Sequence, residues 1–394
     1  MRFFLFLFFF FLPSIAFAQL SNGFNKQEAR DMVMVCNSFT FLDLYASDAE
    51  IIPAGYIKSY TSPVFGLDNC YQVYEQGNMA VICFRGSTDK ELSWLENISS
   101  AMIPAKGIIE VNGEKWRYAF ARDTTATVHS GYALGIAFMR KDILAQIAKL
   151  NTKNIFDFVI TGHSQGGALA NMLRAYLENL TTQQLSKKNR FKTYAFAAPM
   201  TGSKKFATEY NARYAANGSS FNMVIANDPV PLFPVSYNDS NFVKSQVNTL
   251  LNDRDNFSFM SALKEGSLLL FDGTLGKVVN RMGRATNKRM IKNLGPVYFP
   301  KYVSGINYQK IEKRMELAAV DYPKILKDPS LLNNDSLVKT LEKDGDGNFT
   351  NDRLYKKEPW SFQHKPYNYY VAILKLYFPE EYSALKKKFL PENL

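Results

Sequence analysis

Residues 158–167 read Phe158-Val159-Ile160-Thr161-Gly162-His163-Ser164-Gln165-Gly166-Gly167, the most informative stretch of this 394-residue chain. An apolar run typical of a β-strand, 156–160, leads into Gly-X-Ser-X-Gly, and a helix-forming run, 168–180, follows at once. So sharp a turn between strand and helix predicts a nucleophile elbow, from which the Oγ atom of Ser164 projects clear of the sheet. Glycine suits positions 162 and 166 because side chains there would collide with neighbouring backbone.

The segments around this elbow alternate between strand and helix. A hairpin with its turn at 76–78 comes first, and the pattern then predicts helices over 129–150 and 203–216 and strands over 191–199 and 221–226. Such alternation predicts an α/β fold, a mostly parallel central sheet covered by helices on both faces. Together with the elbow it indicates an α/β-hydrolase fold.

The alternation stops between about residue 238 and residue 360. This part is polar, basic in patches and rich in Asn and Lys, and we predict a mainly helical insertion with loops. Order returns at 367–378, an aromatic-rich amphipathic helix. We therefore expect one domain over 19–394, interrupted by this insertion.

The segment 1–18 has the pattern of a secretory signal peptide. Arg2 precedes the apolar run 3–12, and Ala16-Phe17-Ala18 provides a small-X-small cleavage site. The run is too short to serve as a stable membrane anchor. The pattern predicts an exported protein, periplasmic or secreted.

The formal net charge of +11 favours acidic partners or anionic membrane surfaces. Residues 277–292 hold six basic side chains and no acidic one, and they are either a basic amphipathic helix lying on anionic lipid or a solvated basic face. No nucleic-acid motif, zinc-ligand spacing or phosphate loop is present, so we predict no nucleic-acid partner, no metal and no cofactor. Asp344-Gly345-Asp346-Gly347-Asn348 begins like a calcium loop but lacks the later Gly and Glu, which favours a polar turn.

The chain has three cysteines, at positions 36, 70 and 83. Cys70 and Cys83 flank the predicted hairpin, where they could lie opposite each other and pair in an exported protein. The alternative is three buried, unpaired thiols that act as small hydrophobic side chains.

A nucleophilic serine requires a base and a carboxylate that orients the base. The chain has three histidines. His163 lies inside the elbow and cannot face Ser164, and His129 precedes Ser164, against the Ser–Asp–His order of this fold. His364 remains as the candidate base. Asp228 is the candidate carboxylate because it follows the apolar strand 221–226, and the carboxyl ends of parallel strands are where α/β sites form.

Four motifs together resemble the class 3 lipases, the fungal-type triacylglycerol lipase family. They are Phe84-Arg85-Gly86-Ser87, Val128-His129-Ser130-Gly131-Tyr132, the elbow 162–167 and Asn227-Asp228-Pro229-Val230-Pro231. The resemblance covers roughly 25–235 and the surroundings of His364. The separation of Asp228 and His364 along the chain is longer than in compact members of the family.

The resemblance implies roles for further residues. The backbone N–H of Ser87, with its hydroxyl as a further donor, and the backbone N–H of Gln165 would form the oxyanion hole. His129 would be structural. Residues 88–97 match the position of the family's mobile lid, and Trp94 within them is either part of that lid or a core anchor.

These observations together predict a serine hydrolase that cleaves carboxylic esters of lipids, acylglycerols in particular, with Ser164, His364 and Asp228 as its triad. Two alternatives stay open. One is a phospholipase A1 or a soluble-ester esterase on the same scaffold, and the other is a catalytically inactive lipid-binding protein.

Overall fold

The computed structural model describes residues 20–44, 52–88, 90–234, 292–303, 307–311, 314–359 and 361–390. The predicted signal peptide and the basic stretch 277–292, apart from Lys292, lie outside these residues. Among the helices that are described, none is both long enough and apolar enough to cross a membrane.

A seven-stranded sheet forms the centre of the described structure. The strands of the described residues, in chain order, are β1 (Ile57–Thr61), β2 (Tyr71–Gln76), β3 (Met79–Phe84), β4 (Met102–Pro104), β5 (Lys106–Val111), β6 (Glu114–Ala119), β7 (Thr127–His129), β8 (Asp157–His163), β9 (Arg190–Phe196), β10 (Ser220–Ile225), β11 (Val297–Tyr298) and β12 (Arg314–Leu317). The central sheet has the order β1-β2-β3-β8-β9-β10-β12. Its strands from β3 to β12 run parallel, whereas β2 is antiparallel to both of its neighbours.

Helices cover both faces of this sheet. The helices of the described residues, besides the helical residues 292–294, are in chain order α1 (Lys26–Leu44), α2 (Glu91–Ile98), α3 (Ser130–Thr152), α4 (Gln165–Leu177), α5 (Lys204–Tyr210, extended by a π-helical turn, Asn211–Ala215), α6 (Asp335–Val338), α7 (Pro366–Tyr377) and α8 (Pro379–Ala384). Alternate residues of β8 point to opposite faces. Phe158 and Ile160 join the apolar cluster beneath α3 and α4, and Val159 joins the cluster beneath α1 and α7. This arrangement confirms the predicted α/β-hydrolase fold.

The predicted hairpin is present, and helix α1 precedes it in the chain. β2 and β3 pair antiparallel through the turn at Gly77 and Asn78. The Asn25 side chain accepts hydrogen bonds from the backbone N–H groups of Gln27 and Glu28, at 2.8 and 3.2 Å, so it caps the start of α1. A cap of this kind satisfies donors that the first helical turn would otherwise leave unpaired.

All three cysteines are buried. The hairpin register places Gln72, not Cys70, opposite Cys83, so the two thiols do not face each other across the strands. The nearest thiol to Cys83 is that of Cys36 on α1, with the two Sγ atoms 4.0 Å apart. The structure therefore agrees with the interpretation of the cysteines as small buried hydrophobic side chains.

Much of the insertion predicted to be mainly helical, 238–291, lies outside the described residues, and the part that is described, 292–303, 307–311 and 314–359, contains two strands, short helical turns and loops. β11 pairs with β5 at the edge of a small antiparallel sheet, and β12 joins the central sheet next to β10. The helical segments among these described residues are 292–294, the four-residue α6 and two short 3₁₀ turns at Pro329–Asn333 and Asp352–Leu354. Prolines at positions 296, 300, 323, 329 and 359 interrupt any helical pattern in this part, and polar and apolar residues alternate over Arg314–Leu317 as in a strand.

Candidate active site

Ser164 lies in the turn between β8 and α4, in a backbone conformation that a residue other than glycine rarely adopts. Its φ is 60° and its ψ is −127°. A Cβ atom at Gly162 would lie 2.3 Å from the carbonyl carbon of Gly166, and one at Gly166 would lie 2.5 Å from the carbonyl oxygen of Phe84. Both glycines therefore permit the close approach that the turn requires. Strain of this kind is typical of functional sites.

Asp228 follows β10 at the carboxyl edge of the same sheet. Its backbone N–H donates to the carbonyl oxygen of Ile225, the last residue of β10, at 3.1 Å. Its Oδ1 atom accepts a hydrogen bond from the backbone N–H of Val230 at 2.9 Å. The side chain is 0% exposed. The turn thus directs the carboxylate inward and fixes its orientation.

His364 is held beside Asp228 by β12, the strand that the insertion contributes. The side-chain amide of Gln363 exchanges two hydrogen bonds with the backbone of Val320, at 2.9 and 3.0 Å, just beyond the end of β12. The His364 backbone N–H closes a turn by donating to the carbonyl oxygen of Ser361 at 3.1 Å. Because β12 lies next to β10, these contacts bring His364 to Asp228 despite their separation of 136 residues.

The structure brings the three predicted residues into a continuous hydrogen-bonded chain. His364 Nε2 is 2.8 Å from Ser164 Oγ. His364 Nδ1 is 3.0 Å from Asp228 Oδ2 and 3.2 Å from Asp228 Oδ1. The imidazole is 18% exposed, so a substrate in water can reach it. This geometry allows proton transfer from the serine to a ring that the carboxylate orients.

Two residues that the sequence analysis did not single out contact Asp228 or the turn that follows it. The Tyr369 hydroxyl on α7 donates to Asp228 Oδ2 at 2.6 Å and accepts from the Ile225 backbone N–H at 3.1 Å. Burial and the nearby Asp228 charge raise the pKa of Tyr369 well above its usual value, so the hydroxyl stays protonated. Arg314 on β12 donates to the carbonyl oxygen of Pro231 at 2.8 Å, and burial lowers its pKa to about 10.

The other two histidines lie where the sequence analysis expects, outside this chain of hydrogen bonds. His163 is buried between the rings of His364 and Tyr369, at centroid distances of 4.8 and 5.3 Å. Burial, and then the neighbouring His364, keep its pKa well below the usual value, so its ring is neutral. His129 stacks on Tyr132 with ring centroids 4.0 Å apart, and burial lowers its pKa to about 3.

Ser87 and Gln165 lie together beside the elbow and share a hydrogen bond. The Ser87 hydroxyl donates to Gln165 Oε1 at 2.8 Å and accepts from Asn97 Nδ2 at 2.9 Å. Its hydrogen is therefore engaged with Gln165 and is not free for a substrate. The backbone N–H groups of Ser87 and Gln165 have no hydrogen-bond partner in the described part of the chain. They are thus the groups open to a developing oxyanion.

Helix α2 occupies most of the segment expected to match the family's lid. Ser93, Leu95 and Glu96 are buried, whereas Trp94 is only half-buried. The helix packs against α3. The mobility of residues 88–97 stays a prediction.

Comparison with known proteins shows which family part of the chain resembles. Residues 81–238 match the sequence model of the family described as lipase (class 3). These residues, the lipase region, therefore resemble the class 3 lipases. The match includes the elbow, Ser87 and Asp228, and it confirms the predicted resemblance. It also confirms the predicted enzyme class, a lipase-like carboxylic ester hydrolase.

Individual relatives of the lipase region are distant. The chain is 24% identical over 239 residues to the secreted mono- and diacylglycerol lipase 1 of Fusarium solani, which covers 57% of this chain and 69% of that protein. Among solved structures, the mono- and diacylglycerol lipase of Aspergillus oryzae has a TM-score of 0.40 at 16% identity, covering 54% of this chain and 75% of the other. A triacylglycerol lipase of Penicillium expansum has a TM-score of 0.40 at 16% identity, covering 55% and 77%.

The Tyr369 contact leads to a prediction about stability and rate. Tyr369→Phe removes one hydrogen bond to a buried carboxylate, and the ring still fills its site. We expect the free energy of unfolding to fall by about 1–3 kcal/mol. We also expect kcat for ester hydrolysis to fall by about threefold to tenfold, because Asp228 then orients His364 less well. Urea unfolding and steady-state kinetics measure the two effects. The matched control is Tyr370→Phe on the same helix, and an equal loss of kcat in both variants would contradict the role of the Tyr369 hydroxyl.

Proposed function

We propose that this protein is an exported serine hydrolase that cleaves the carboxylic esters of acylglycerols through an acyl-enzyme. The observation that carries the proposal is the contact chain from Ser164 Oγ through the His364 ring to Asp228, at 2.8 and 3.0 Å. In the alternative, an inactive lipid-binding protein, His364 would lie away from Ser164 and could not act as its base. The short contact between His364 Nε2 and Ser164 Oγ argues against it.

The first half of the reaction acylates Ser164. Its Oγ attacks the ester carbonyl carbon while His364 Nε2 takes the hydroxyl proton. Asp228 accepts the hydrogen bond from Nδ1–H and stabilises the imidazolium. The backbone N–H groups of Ser87 and Gln165 donate to the oxyanion. The tetrahedral intermediate then collapses, the ester C–O bond breaks, and the leaving alcohol takes the proton from His364.

The second half releases the acid. His364 Nε2 removes a proton from a water molecule, whose oxygen attacks the acyl carbon. The bond to Ser164 Oγ breaks, Oγ takes the proton back, and the carboxylic acid leaves. Side chains and backbone N–H groups of the protein carry out each of these steps.

Two sources support an acylglycerol substrate and export. A relative that is 24% identical is described as a secreted mono- and diacylglycerol lipase. The segment 1–18 has the pattern of a signal peptide. Contact of the basic stretch 277–292 with anionic membranes stays a prediction from its sequence.

A substrate panel tests the proposal. Purified protein lacking residues 1–18 is assayed against emulsified mono-, di- and triacylglycerols, phosphatidylcholine vesicles and p-nitrophenyl butyrate, with Ser164→Ala prepared in parallel as the control for contaminating hydrolases. We expect fatty acid release from the acylglycerols that exceeds release from the phospholipid at least tenfold. Release from phospholipid alone would favour a phospholipase A1. Activity on the soluble ester alone would favour an esterase, and no hydrolysis by folded protein would contradict the proposal.

A further inference from the structure

Glu96 on α2 is a buried carboxyl group that the proposed reaction does not use. It is 0% exposed. Asn69 Nδ2 donates to its Oε2 atom at 2.5 Å, and the side-chain amide of Gln165 is also beside it. Within the described residues, Glu96 forms no ion pair. Burying a carboxyl group with no cation beside it costs folding free energy, so such a group normally has a specific role.

Helix α3 is shaped to admit this carboxyl group. A Cβ atom at Gly135 would lie 2.5 Å from Glu96 Oε1 and 3.0 Å from Asn69 Nδ2. A Cβ atom at Gly131, one turn earlier, would lie 2.1 Å from the Glu96 carbonyl oxygen. Glycine at both positions therefore leaves room for α2 and for the carboxyl group on the same side of α3. This is a second observation, independent of the hydrogen bonds, that the site accommodates Glu96.

A chain of hydrogen bonds connects Glu96 to the elbow through the side-chain amides of Asn69 and Gln165. Because Asn69 Nδ2 faces Glu96, Asn69 Oδ1 faces Gln165 and accepts from its Nε2 atom at 3.2 Å. Gln165 Oε1 is therefore turned toward three donors, the hydroxyls of Ser87 and Ser93 at 2.8 and 3.2 Å and Asn97 Nδ2 at 3.1 Å. Gln165 is 1% exposed and is the residue next to Ser164.

The surroundings hold the carboxyl group neutral. Burial raises the pKa of Glu96 well above its usual value of 4.5, more than the hydrogen bond from Asn69 and the nearby Gln165 amide lower it. Of the neighbouring titratable groups, His129 at the end of β7 is neutral, with a pKa that burial lowers to about 3, and Tyr132 on α3 has a pKa that burial raises well above 10. Asp68, next to Asn69, is engaged by Arg85 and Lys90. A protonated acid still accepts from Asn69 through its carbonyl oxygen.

We propose that Glu96, as a neutral carboxylic acid, is a positioning residue that acts through Asn69 and Gln165 to hold the oxyanion-binding backbone beside Ser164. The role rests on the proposed function, since it places the N–H groups of Ser87 and Gln165 in the oxyanion hole. Glu96 touches neither the substrate nor the reacting atoms. Loss of its contact with Asn69 would let both amides turn, and the donors would then be misplaced in the transition state.

Three variants test this role. Glu96→Gln keeps an uncharged carbonyl oxygen for Asn69, Glu96→Ala removes it, and Leu95→Ala removes buried volume from the same helix without touching the amides. We expect Glu96→Gln to keep kcat within about threefold of the wild type. Glu96→Ala should lose about 10- to 100-fold in kcat with little change in KM, somewhat less than the loss of a whole oxyanion donor. Leu95→Ala should lower Tm as much as Glu96→Ala does, but keep kcat near that of the wild type.

All rates are measured on the substrate that the wild type turns over best, at a temperature well below the lowest Tm. Equal losses of kcat in Leu95→Ala and Glu96→Ala, or no rescue by Glu96→Gln, would overturn the positioning role while the wild type remains active. Absence of turnover by the wild type would instead overturn the proposed function, and the role would fall with it.

The pH dependence of stability gives a second readout. A carboxyl group whose pKa is raised by folding stabilises the folded state most at low pH, and this contribution is lost as the pH rises above the unfolded value of 4.5 toward the folded pKa. Glu96→Gln does not titrate. We therefore expect Tm of the wild type to fall relative to that of Glu96→Gln between pH 5 and pH 9. A constant difference in Tm over this range would show that Glu96 is not held neutral and would overturn the proposal.

Discussion

Ser164→Ala is expected to lower kcat for ester hydrolysis by on the order of 10⁵-fold while leaving Tm within a few degrees of the wild type. The substitution deletes the nucleophilic oxygen, so no acyl-enzyme forms. Residual hydrolysis above the rate in water would come from substrate binding and the oxyanion hole. Stability should change little because the residue is only half-buried and alanine faces the same backbone strain at φ 60°. Initial rates and thermal unfolding of the two proteins give both quantities.

The control for this prediction is Ser130→Ala. Ser130 is buried and donates its hydroxyl hydrogen to the carbonyl oxygen of Ser99 at 2.8 Å, so its loss should lower stability and spare turnover. Turnover by Ser164→Ala at more than a tenth of the wild-type rate, in protein freed of contaminating hydrolases, would sink the assignment of the nucleophile.

His364→Ala should be nearly as damaging as Ser164→Ala, because the members of a triad act as a unit. Without the imidazole, the Ser164 hydroxyl has no acceptor for its proton and the leaving alcohol has no donor. His129→Ala is the matched histidine control. Its ring stacks on Tyr132 and accepts a hydrogen bond from the Tyr132 backbone N–H at 3.4 Å, so this variant should lose stability. If His129→Ala abolished turnover in a well-folded protein and His364→Ala did not, the base would have to be reassigned.

The parallel strands and the elbow could be predicted because their signals are local. The run 156–160 is apolar, the glycines at 162 and 166 permit a turn that few other residues allow, and a helix follows directly. Asp228 could be proposed for the same reason, since it comes directly after an apolar strand. His364 could be identified as the candidate base by elimination, because the chain has only three histidines.

The strand β12 within the insertion could not be predicted in this way. Arg314–Leu317 is only four residues long and two of its residues are charged, so its pattern is too weak to identify a strand. It becomes a strand because β10 offers an unpaired edge and α7 covers the apolar side chains. Gln363, which anchors the His364 loop to Val320, has no signal in the sequence for that contact.

The supporting residues were missed because their partners are distant in the sequence. Tyr369 is 141 residues from Asp228, and Glu96 is 27 residues from Asn69. For each of them, the sequence contains a feature that could have indicated its role. Tyr369 lies in the first turn of a helix that begins two residues after His364, which places it near the same carboxylate. Glu96 follows Trp94 and Leu95, and a charged residue at such an apolar position indicates a buried polar contact.

The central claim is that Ser164 is a nucleophile activated by His364, and covalent labelling tests it most directly. A fluorophosphonate reacts when the serine oxygen attacks phosphorus, fluoride leaves and the base takes the hydroxyl proton, so the label marks an activated serine. Intact-mass analysis followed by peptide mapping locates the adduct in the wild type, Ser164→Ala, His364→Ala and His129→Ala. The account predicts one adduct in the wild type, on Ser164, none in Ser164→Ala, strongly slowed labelling in His364→Ala and wild-type labelling in His129→Ala. An adduct on a different residue, or equal labelling of the wild type and Ser164→Ala, would contradict it.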